Sequence, residues 1–391
     1  MKKIAVLTAT RADYGLLAPV IKKLIKYDDL DVRVAVSGAH LSPEFGMTVE
    51  EIRGDGISVD REIEILLSSD TPSAVSKSMG IAMISFADYF AELQPDALLV
   101  LGDRYETLAV ACAAMNAQIP IIHLYGGETT EGAVDEGIRH ALTKLANIHF
   151  VANDEFRKRV IQLGEAPERV FKVGAMGPEN ALNIPKLTLK ELEESIGCSL
   201  GSRYAVLTFH PVTLEHNTAE KQTDELIKAL MRFPDITFLC TKANADADGR
   251  IINKKLEEFS KDKENIFLID SLGAKRYLSA LKYALFAIGN SSSGLAEVPS
   301  FGIPTVNIGD RQKGRMQGAS IINCDPEADS IEQAIKKALS PAFRKVAEEA
   351  DNPYGDGNTS AKIARIVHDQ LVLERLTLKK KFYDLEFDCP S

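Results

Sequence analysis

Carboxylates, arginines and histidines cluster where apolar runs end in this sequence, and they are the groups from which chemistry could be built. Arg11 and Asp13 follow Ile4–Leu7, Asp103 and Arg104 follow Asp96–Leu101, and His123 closes Ile119–His123. The densest acidic stretch comes next, from Gly126 to His140, with Glu128, Glu131, Asp135, Glu136, Arg139 and His140. Carboxylates beside an arginine and a histidine suit general acid–base work, because burial and neighbouring charge can tune them toward neutrality. Gly126 and Gly127 would let this loop approach a ligand closely. Asp135 and Glu136 fall on the first turns of a helix, and Asp135 and Arg139 stand at i,i+4. The plainer reading is that both acids complement the helix dipole.

A second kind of chemistry is written at Ala287–Glu297. The apolar run Tyr283–Ile288 stops at Gly289, gives way to Asn290-Ser291-Ser292-Ser293, and resumes as Leu295-Ala296-Glu297-Val298. This pattern predicts a strand, a tight turn and the first turn of a helix. Unpaired backbone N–H groups at the positive end of a helix, flanked by small hydroxyls, favour an anion, and a diphosphate fits best. An ordinary Ser or Asn cap is the alternative.

Other chemistries are excluded or unsupported. No GxGxxG follows the first strand and no GxxxxGK[ST] occurs, so neither a nicotinamide nor an ATP site is indicated. No HExxH or comparable spacing points to a metal, and no cofactor is expected. His123 lacks a neighbouring His or Cys and reads as a hydrogen-bonded core histidine. A net charge of −10, with no basic run denser than Lys379–Lys381, argues against nucleic acid. The five cysteines are far apart and lack CxxC spacing, which suggests reduced thiols in a reducing compartment. The apolar run after Lys2-Lys3 is too short for a secretory core and no later run reaches membrane-spanning length, so a cytoplasmic protein is expected.

The elements that must position these groups alternate. Short apolar strands at residues 4–7, 32–36, 96–101, 119–123, 148–151 and 170–173 are interleaved with helical patterns, as at 74–93 and 105–115. Such alternation specifies an α/β fold with a doubly wound parallel sheet. The pattern weakens across residues 182–203, read as a linker with a short helix at 189–196, and restarts with strands at 204–209, 237–240, 266–269, 285–288 and 305–308. The expected organisation is a first domain over 1–181 carrying the acids, a second over 204–360, and a helix and tail over 361–391 that pack back on the first. In open sheets of this kind ligands bind beyond the carboxyl ends of the strands. Lys242, Asn244, His210, Arg311 and Arg315 therefore join the candidates, although Asp13 and Asp103 can equally be read as helix caps.

Taken together, TATRADYG from Thr8, VLGDRYE from Val100, IHLYGGE from Ile122, DEGIRHALTKLA from Asp135, FHPVT from Phe209, NADADG from Asn244, GNSSSGLAEVPSFGIPTVNIGDRQKGR from Gly289 and NPYGDGN from Asn352 resemble the UDP-N-acetylglucosamine 2-epimerases. The likeness is to the hydrolysing branch that feeds sialic and legionaminic acid-type biosynthesis. The resemblance implies a glycosyltransferase-B type fold, with two Rossmann-like domains facing a central cleft that takes a UDP-sugar. It also implies release of UDP and a 2-acetamido-mannose-type sugar, and a homodimer or homotetramer. By the same resemblance Arg11, His210, Asn244, Ser291, Ser292, Glu297 and Arg315 are nucleotide contacts, with the two serines on phosphate and Glu297 on ribose. Asp103, Glu128, Asp135 and Glu136 form the catalytic carboxylate set, with Arg104 beside them. Relatives carry a glutamate two residues after the strand-end histidine where this chain has Tyr125, so the resemblance leaves open which carboxylate is the base. It also leaves open the substituent at C4 and a non-hydrolysing activity.

Overall fold

The computed structural model of the protein describes residues 1–67, 69, 71–129, 134–211, 218–243, 249–261 and 263–386. The chain divides into two compact units, one formed by Met1–Met176 with Asn358–Ser391 and the other by Gly177–Gly357.

The first unit is built on a seven-stranded parallel sheet of β1 (Lys2–Thr8), β2 (Leu30–Ser37), β3 (Val59–Ile63), β4 (Ala97–Leu101), β5 (Ile121–Leu124), β6 (Ile148–Val151) and β7 (Val170–Lys172), in the order β3-β2-β1-β4-β5-β6-β7. The central strands carry apolar runs, β4 over its whole length and β1 over Ile4–Leu7, because helices cover both faces. On one face Ile4, Val6, Val34 and Leu99 pack with Leu17, Ile21 and Leu24 of the Arg11–Leu24 helix and with Ile363 and Val367 of the Thr359–Val372 helix. On the other, Ala5, Leu98 and Val100 pack with Phe86, Tyr89 and Phe90 of the Pro72–Leu93 helix and with Val110 and Ala114 of the Tyr105–Asn116 helix.

The second unit repeats the plan with six parallel strands, β8 (Tyr204–Thr208), β9 (Thr237–Thr241), β10 (Ile266–Ile269), β11 (Ala287–Gly289), β12 (Thr305–Ile308) and β13 (Ile321–Cys324), in the order β10-β9-β8-β11-β12-β13. In both sheets the order reverses next to the first strand, between β1 and β4 and between β8 and β11. This switch point opens a crevice at the carboxyl edge, because the flanking connections leave in opposite directions. Gly289 is fixed by the close approach there. It has φ +132°, and a Cβ on it would lie 1.9 Å from the Thr208 carbonyl oxygen.

The structure differs from the sequence-based expectations at several points. Residues 182–203 are part of the second unit rather than a linker: the Leu189–Ile196 helix carries a Thr188/Glu191 capping box, and Leu192 and Leu200 are buried with Tyr204 and Leu278. The division between units falls at Met176/Gly177 and Gly357/Asn358, not at 181 and 360. The last helix runs over Thr359–Val372 and packs in the first unit, where His368 stacks on Tyr27 with ring centroids 4.2 Å apart. Strands β3 and β13 were not foreseen. Both are sheet edges, and Asp60-Arg61-Glu62 in β3 is polar because the strand is only partly covered.

Candidate active site

The β4 end of the first sheet supplies Asp103 and Arg104, and they part company. The Tyr105–Asn116 helix begins after Arg104 with no side-chain cap, so Asp103 is not its cap. Asp103 instead accepts a hydrogen bond from Nη2 of Arg139. Arg139 is a buried hub on the Val134–Leu145 helix, its side chain 4% exposed. Its Nη1 donates to Glu136 Oε2 at 2.9 Å and to the Glu128 backbone carbonyl at 3.0 Å. One guanidinium thus holds the strand-end acid, the acid on the helix and the loop that carries Glu128, as its rigid fork of donors permits. Glu136 also meets His140 Nε2 at 3.1 Å. Asp135, on the outer side of the same turn, has its carboxyl shifted upward by burial and by the Asp103 charge, against the pull of Arg139 and Arg104. Asp103 and Glu136 are therefore paired to one arginine, Asp135 lies within reach of its charge, and the backbone at Glu128 is held by it.

Arg104 turns the other way and forms a two-bond fork onto buried Glu106, at 3.1 and 2.9 Å. Behind it, Asp13 in the first turn of the Arg11–Leu24 helix is pushed up to about 6 by burial, with Arg104 pulling in the opposite sense. Thr10, not Asp13, caps that helix, accepting from the Asp13 N–H at 3.2 Å. Arg11 is exposed and pairs with Glu51 at 3.3 Å. These residues border a cavity of about 730 Å³ at the carboxyl edge of the sheet, lined in part by Thr10, Arg11, Arg104, Tyr105 and Glu106. Glu106 and the hub role of Arg139 went unassigned in the sequence. Glu106 sits inside an Ala-rich helical pattern, and only its i,i+2 spacing from Arg104 hinted at a pair.

Two other expectations resolve structurally. His123 is fully buried, meets the Gly102 carbonyl through Nε2 at 2.7 Å, and is lowered to about 4 by desolvation. It is a neutral core histidine that steadies the turn before Asp103. Gly127 (φ +80°) serves packing rather than ligand approach, since a Cβ there would lie 2.4 Å from the Phe156 carbonyl oxygen. Tyr125 belongs to the core, and its hydroxyl accepts from the Met176 N–H at 2.7 Å.

In the second unit the β8 and β11 ends are clamped together. Asn290 Oδ1 accepts from the His210 N–H at 2.7 Å, and Asn290 Nδ2 donates to the His210 carbonyl at 2.8 Å. The Asn290 carbonyl in turn accepts from Arg311 at 3.1 Å and Gln312 at 2.9 Å. The chain that follows is shorter in helix than expected. Four α-helical residues, Ser293–Ala296, give way to a 3-10 turn at Val298–Phe301, because Pro299 removes a donor and Gly302 ends the turn in the left-handed region. Ser291 is half-buried and Ser292 exposed. Ser293 N–H turns back to Ser291 Oγ at 3.3 Å, and Tyr277 OH bonds Ser293 Oγ at 2.9 Å. Glu297 points inward, its carboxyl raised by burial and drawn back by Ser293 and by the charge of Arg315. Its Oε2 is buried without a hydrogen-bond partner among the described residues. Asn244, the remaining expected contact, lies outside the described residues.

Among the described residues no group of three or more His, Cys, Asp or Glu side chains could hold a metal ion, and no helix is long and apolar enough to cross a membrane.

Two doubly wound sheets, of seven and six strands with the same order through their first six, and polar groups gathered at each switch point, define a two-unit α/β protein of Rossmann-like architecture. The chain belongs to the UDP-N-acetylglucosamine 2-epimerase family, whose family model matches residues 22–368. It is 39% identical over 385 residues, 98% of this chain and 99% of the relative, to the GDP/UDP-N,N'-diacetylbacillosamine 2-epimerase (hydrolyzing) of Campylobacter jejuni. It is also 39% identical over 386 residues, 98% of each chain, to polysialic acid biosynthesis protein P7 of Escherichia coli. The fold is similar to that of the UDP-GlcNAc 2-epimerase of Neisseria meningitidis solved with UDP-GlcNAc bound, with a TM-score of 0.81 at 19% identity, covering 94% of this chain and 100% of that one.

Proposed function

We propose that this protein is a hydrolysing UDP-sugar 2-epimerase, releasing UDP and a free 2-acetamido-mannose-type sugar. The observation that carries this is the set of acids gathered by Arg139 at the β4 end, in a chain matching a hydrolysing epimerase over nearly its whole length. The C2 proton of the sugar is weakly acidic, so its removal needs a placed base and a leaving group whose charge is neutralised as it forms. Asp103 or the Asp135/Glu136 pair takes the proton from C2. The C1–O bond to the diphosphate breaks, its electron pair leaves with UDP, and a glycal remains. Water then adds, its hydroxyl to C1 and a proton to the opposite face of C2. An acid raised toward neutrality, as Asp135 is, suits the group that returns a proton on the opposite face of C2, while another carboxylate of the set takes the first.

The groups for UDP come mainly from the second unit: the hydroxyls of Ser291 and Ser292 for the diphosphate, Glu297 for the ribose hydroxyls, and Arg315 and His210 with them, while Asn244 is proposed as a further contact from the sequence alone. Arg139 is the cation bound to the acids, and Arg11 and Arg104 of the first unit line the neighbouring cavity. No redox cofactor or metal is required by this route. The relatives divide on the sugar, since the Campylobacter protein is named for an N,N'-diacetylbacillosamine nucleotide and the Neisseria structure holds UDP-GlcNAc. Both UDP-GlcNAc and UDP-2,4-diacetamido-2,4,6-trideoxyglucose are therefore substrates to test.

Incubation with each sugar nucleotide in heavy water is the deciding experiment. Free UDP and a mannose-configured sugar carrying deuterium at C2 are expected. Product without the label removes the elimination route, return of a UDP-mannose-type sugar reassigns the protein as non-hydrolysing, and absence of any turnover overturns the proposal.

A further inference from the structure

The chain passes from the first unit to the second inside one helix, Met176–Asn183. Met176 is buried in the core of the first unit, and from Gly177 on the helix belongs to the second. The Met176 N–H is among the donors that a helix start leaves without an internal partner, and the Tyr125 hydroxyl accepts it at 2.7 Å. Tyr125 leaves β5 at φ +70°, an angle that an aromatic residue keeps only where its surroundings hold it. Thr359, just after the return crossing at Gly357/Asn358, donates its hydroxyl toward the Val173 and Ala175 carbonyls, both at 3.1 Å. On its first-unit side the crossing is therefore fixed by two side-chain hydroxyls.

Glu297 stands on the other side of the Met176–Gly177 bond. A Cβ on Gly177 would lie 2.8 Å from Glu297 Oε1, 3.0 Å from its Cδ and 3.4 Å from its Cγ. Residue 177 lies in a helix, where alanine is preferred to glycine. Glycine there serves its neighbour: with no side chain at 177, the Glu297 carboxyl has room to stand where it does. Glu297 Oε2 is buried without a hydrogen-bond partner among the described residues, so packing against Gly177 does much to place this acid. Each of these contacts lies within one unit, and the peptide bond between residues 176 and 177 joins them.

We infer that Gly177 and Tyr125 are positioning residues for the nucleotide site, and that the crossing they shape sets where the Glu297 carboxyl stands when UDP binds. The inference rests on the role of Glu297 proposed above and adds two residues that act through it. Alanine at 177 would push the carboxyl back by about half an ångström, which at about 100-fold per 1 Å of misplacement corresponds to about tenfold.

The test is calorimetric titration of the whole chain with UDP. Gly177→Ala should weaken UDP by about tenfold while the melting temperature of the ligand-free protein holds or rises, because alanine is the better helix former and only the free end of a side chain has to move. Tyr125→Phe keeps the ring in the core and takes the acceptor from the Met176 N–H. It should weaken UDP by about threefold, the scale of one ordinary hydrogen bond. In a Glu297→Ala background neither substitution should weaken UDP further, since both act through that carboxyl. UDP affinity unmoved by both substitutions, or losses of the same size with and without the Glu297 carboxyl, overturns the inference and leaves the nucleotide site standing. Failure of the unaltered protein to bind UDP overturns that site and the inference with it.

Discussion

Arg139 and Asp103, thirty-six residues apart in sequence, are joined by a hydrogen-bonded ion pair at the carboxyl edge of the first sheet. The pair sets the distance from the strand-end acid to the acids on the Val134–Leu145 helix, because the same guanidinium also holds Glu136 and the Glu128 carbonyl. An ammonium can supply the charge but not the planar fork. Arg139→Lys should therefore keep the fold and lower kcat by on the order of 100-fold, the usual penalty for a misplaced catalytic group. KM should change much less. Steady-state kinetics of UDP release checks this, and a loss confined to KM would assign Arg139 to binding.

Glu297 gives a prediction in which stability and binding move in opposite directions. Its buried Oε2 has no partner among the described residues, and burial raises its carboxyl above the ordinary value. An acid raised on folding destabilises the folded state once pH exceeds its unfolded value, since the folded form then holds more protons. Glu297→Gln removes that penalty at pH 7 and should raise the melting temperature of the ligand-free protein. It should also weaken UDP by about tenfold, because a neutral amide is a poorer acceptor for ribose hydroxyls than a carboxylate. Thermal melts with and without UDP read both effects from one sample.

Much of this was legible in the sequence for a physical reason. The β6, β10 and β12 bounds coincide with the runs at 148–151, 266–269 and 305–308, in which buried apolar side chains dominate although His149, Thr305 and Asn307 interrupt them. The edge strands β3 and β13 were missed because their polar residues break the pattern, whereas the apolar edge strand β10 was found. Strand-end acids could be named because ligand groups gather at that edge. Their partners could not, because the Asp103–Arg139 and Arg104–Glu106 pairs depend on where side chains turn after the strand ends. The short helix at Ser293 was over-read because Leu295-Ala296-Glu297-Val298 has helical periodicity while Pro299 cuts it off.

The pH dependence of stability should reveal three buried groups with opposed signs. His40 and His123 are both lowered to about 4 by desolvation. Unfolding between pH 4 and 6.5 therefore takes up protons on them, and their contribution is complete above pH 6.5 and lost as pH falls toward 4. Asp13, raised to about 6, works the other way over pH 4 to 6, favouring the folded state at the acid end. For these three groups alone the net uptake on unfolding in this window is about one proton. Asp13→Asn removes the opposing contribution, so the slope should steepen by about one proton and stability at pH 7 should rise. Urea titrations at half-unit pH steps measure it.

Gly289 tests the close approach of β11 to β8. Alanine there brings a Cβ against the Thr208 carbonyl oxygen at a backbone angle of φ +132°, and neither strand can yield without breaking the pairing that sets the switch point. Gly289→Ala should destabilise the second unit by several kcal/mol, in the range reserved for backbone clashes at special conformations. Gly137→Ala, where nothing lies within 4 Å of a built Cβ, should leave stability unchanged or slightly raised by helix propensity. Chemical denaturation of the two variants side by side separates strain from the generic effect of losing a glycine.

Lys380 fastens the chain's last segment to the end of the helix that carries the acids. Its ammonium donates to the carbonyls of Lys144 and Ala146, both at 2.7 Å, which the Val134–Leu145 helix leaves exposed at its negative end. It also meets both oxygens of buried Glu165 at 2.9 Å, and Glu165 takes further hydrogen bonds from Lys144 at 2.5 Å and His149 at 3.0 Å. Burial alone would raise the Glu165 carboxyl, and these donors instead hold it at about 2. Phe382 then seats its ring on Gly164, and the Tyr383 N–H donates to the Gly164 carbonyl at 2.9 Å. Lys380→Met leaves a buried carboxylate with fewer donors and two helix-end carbonyls unmet, so it should cost about 3 kcal/mol at pH 7. Because Glu165 is lowered on folding, its contribution is present above pH 4.5 and fades as pH falls toward 2. The gap between the two proteins should therefore narrow from pH 7 to pH 3 in denaturant titrations, whereas a gap independent of pH would assign the loss to packing of the lysine stem alone.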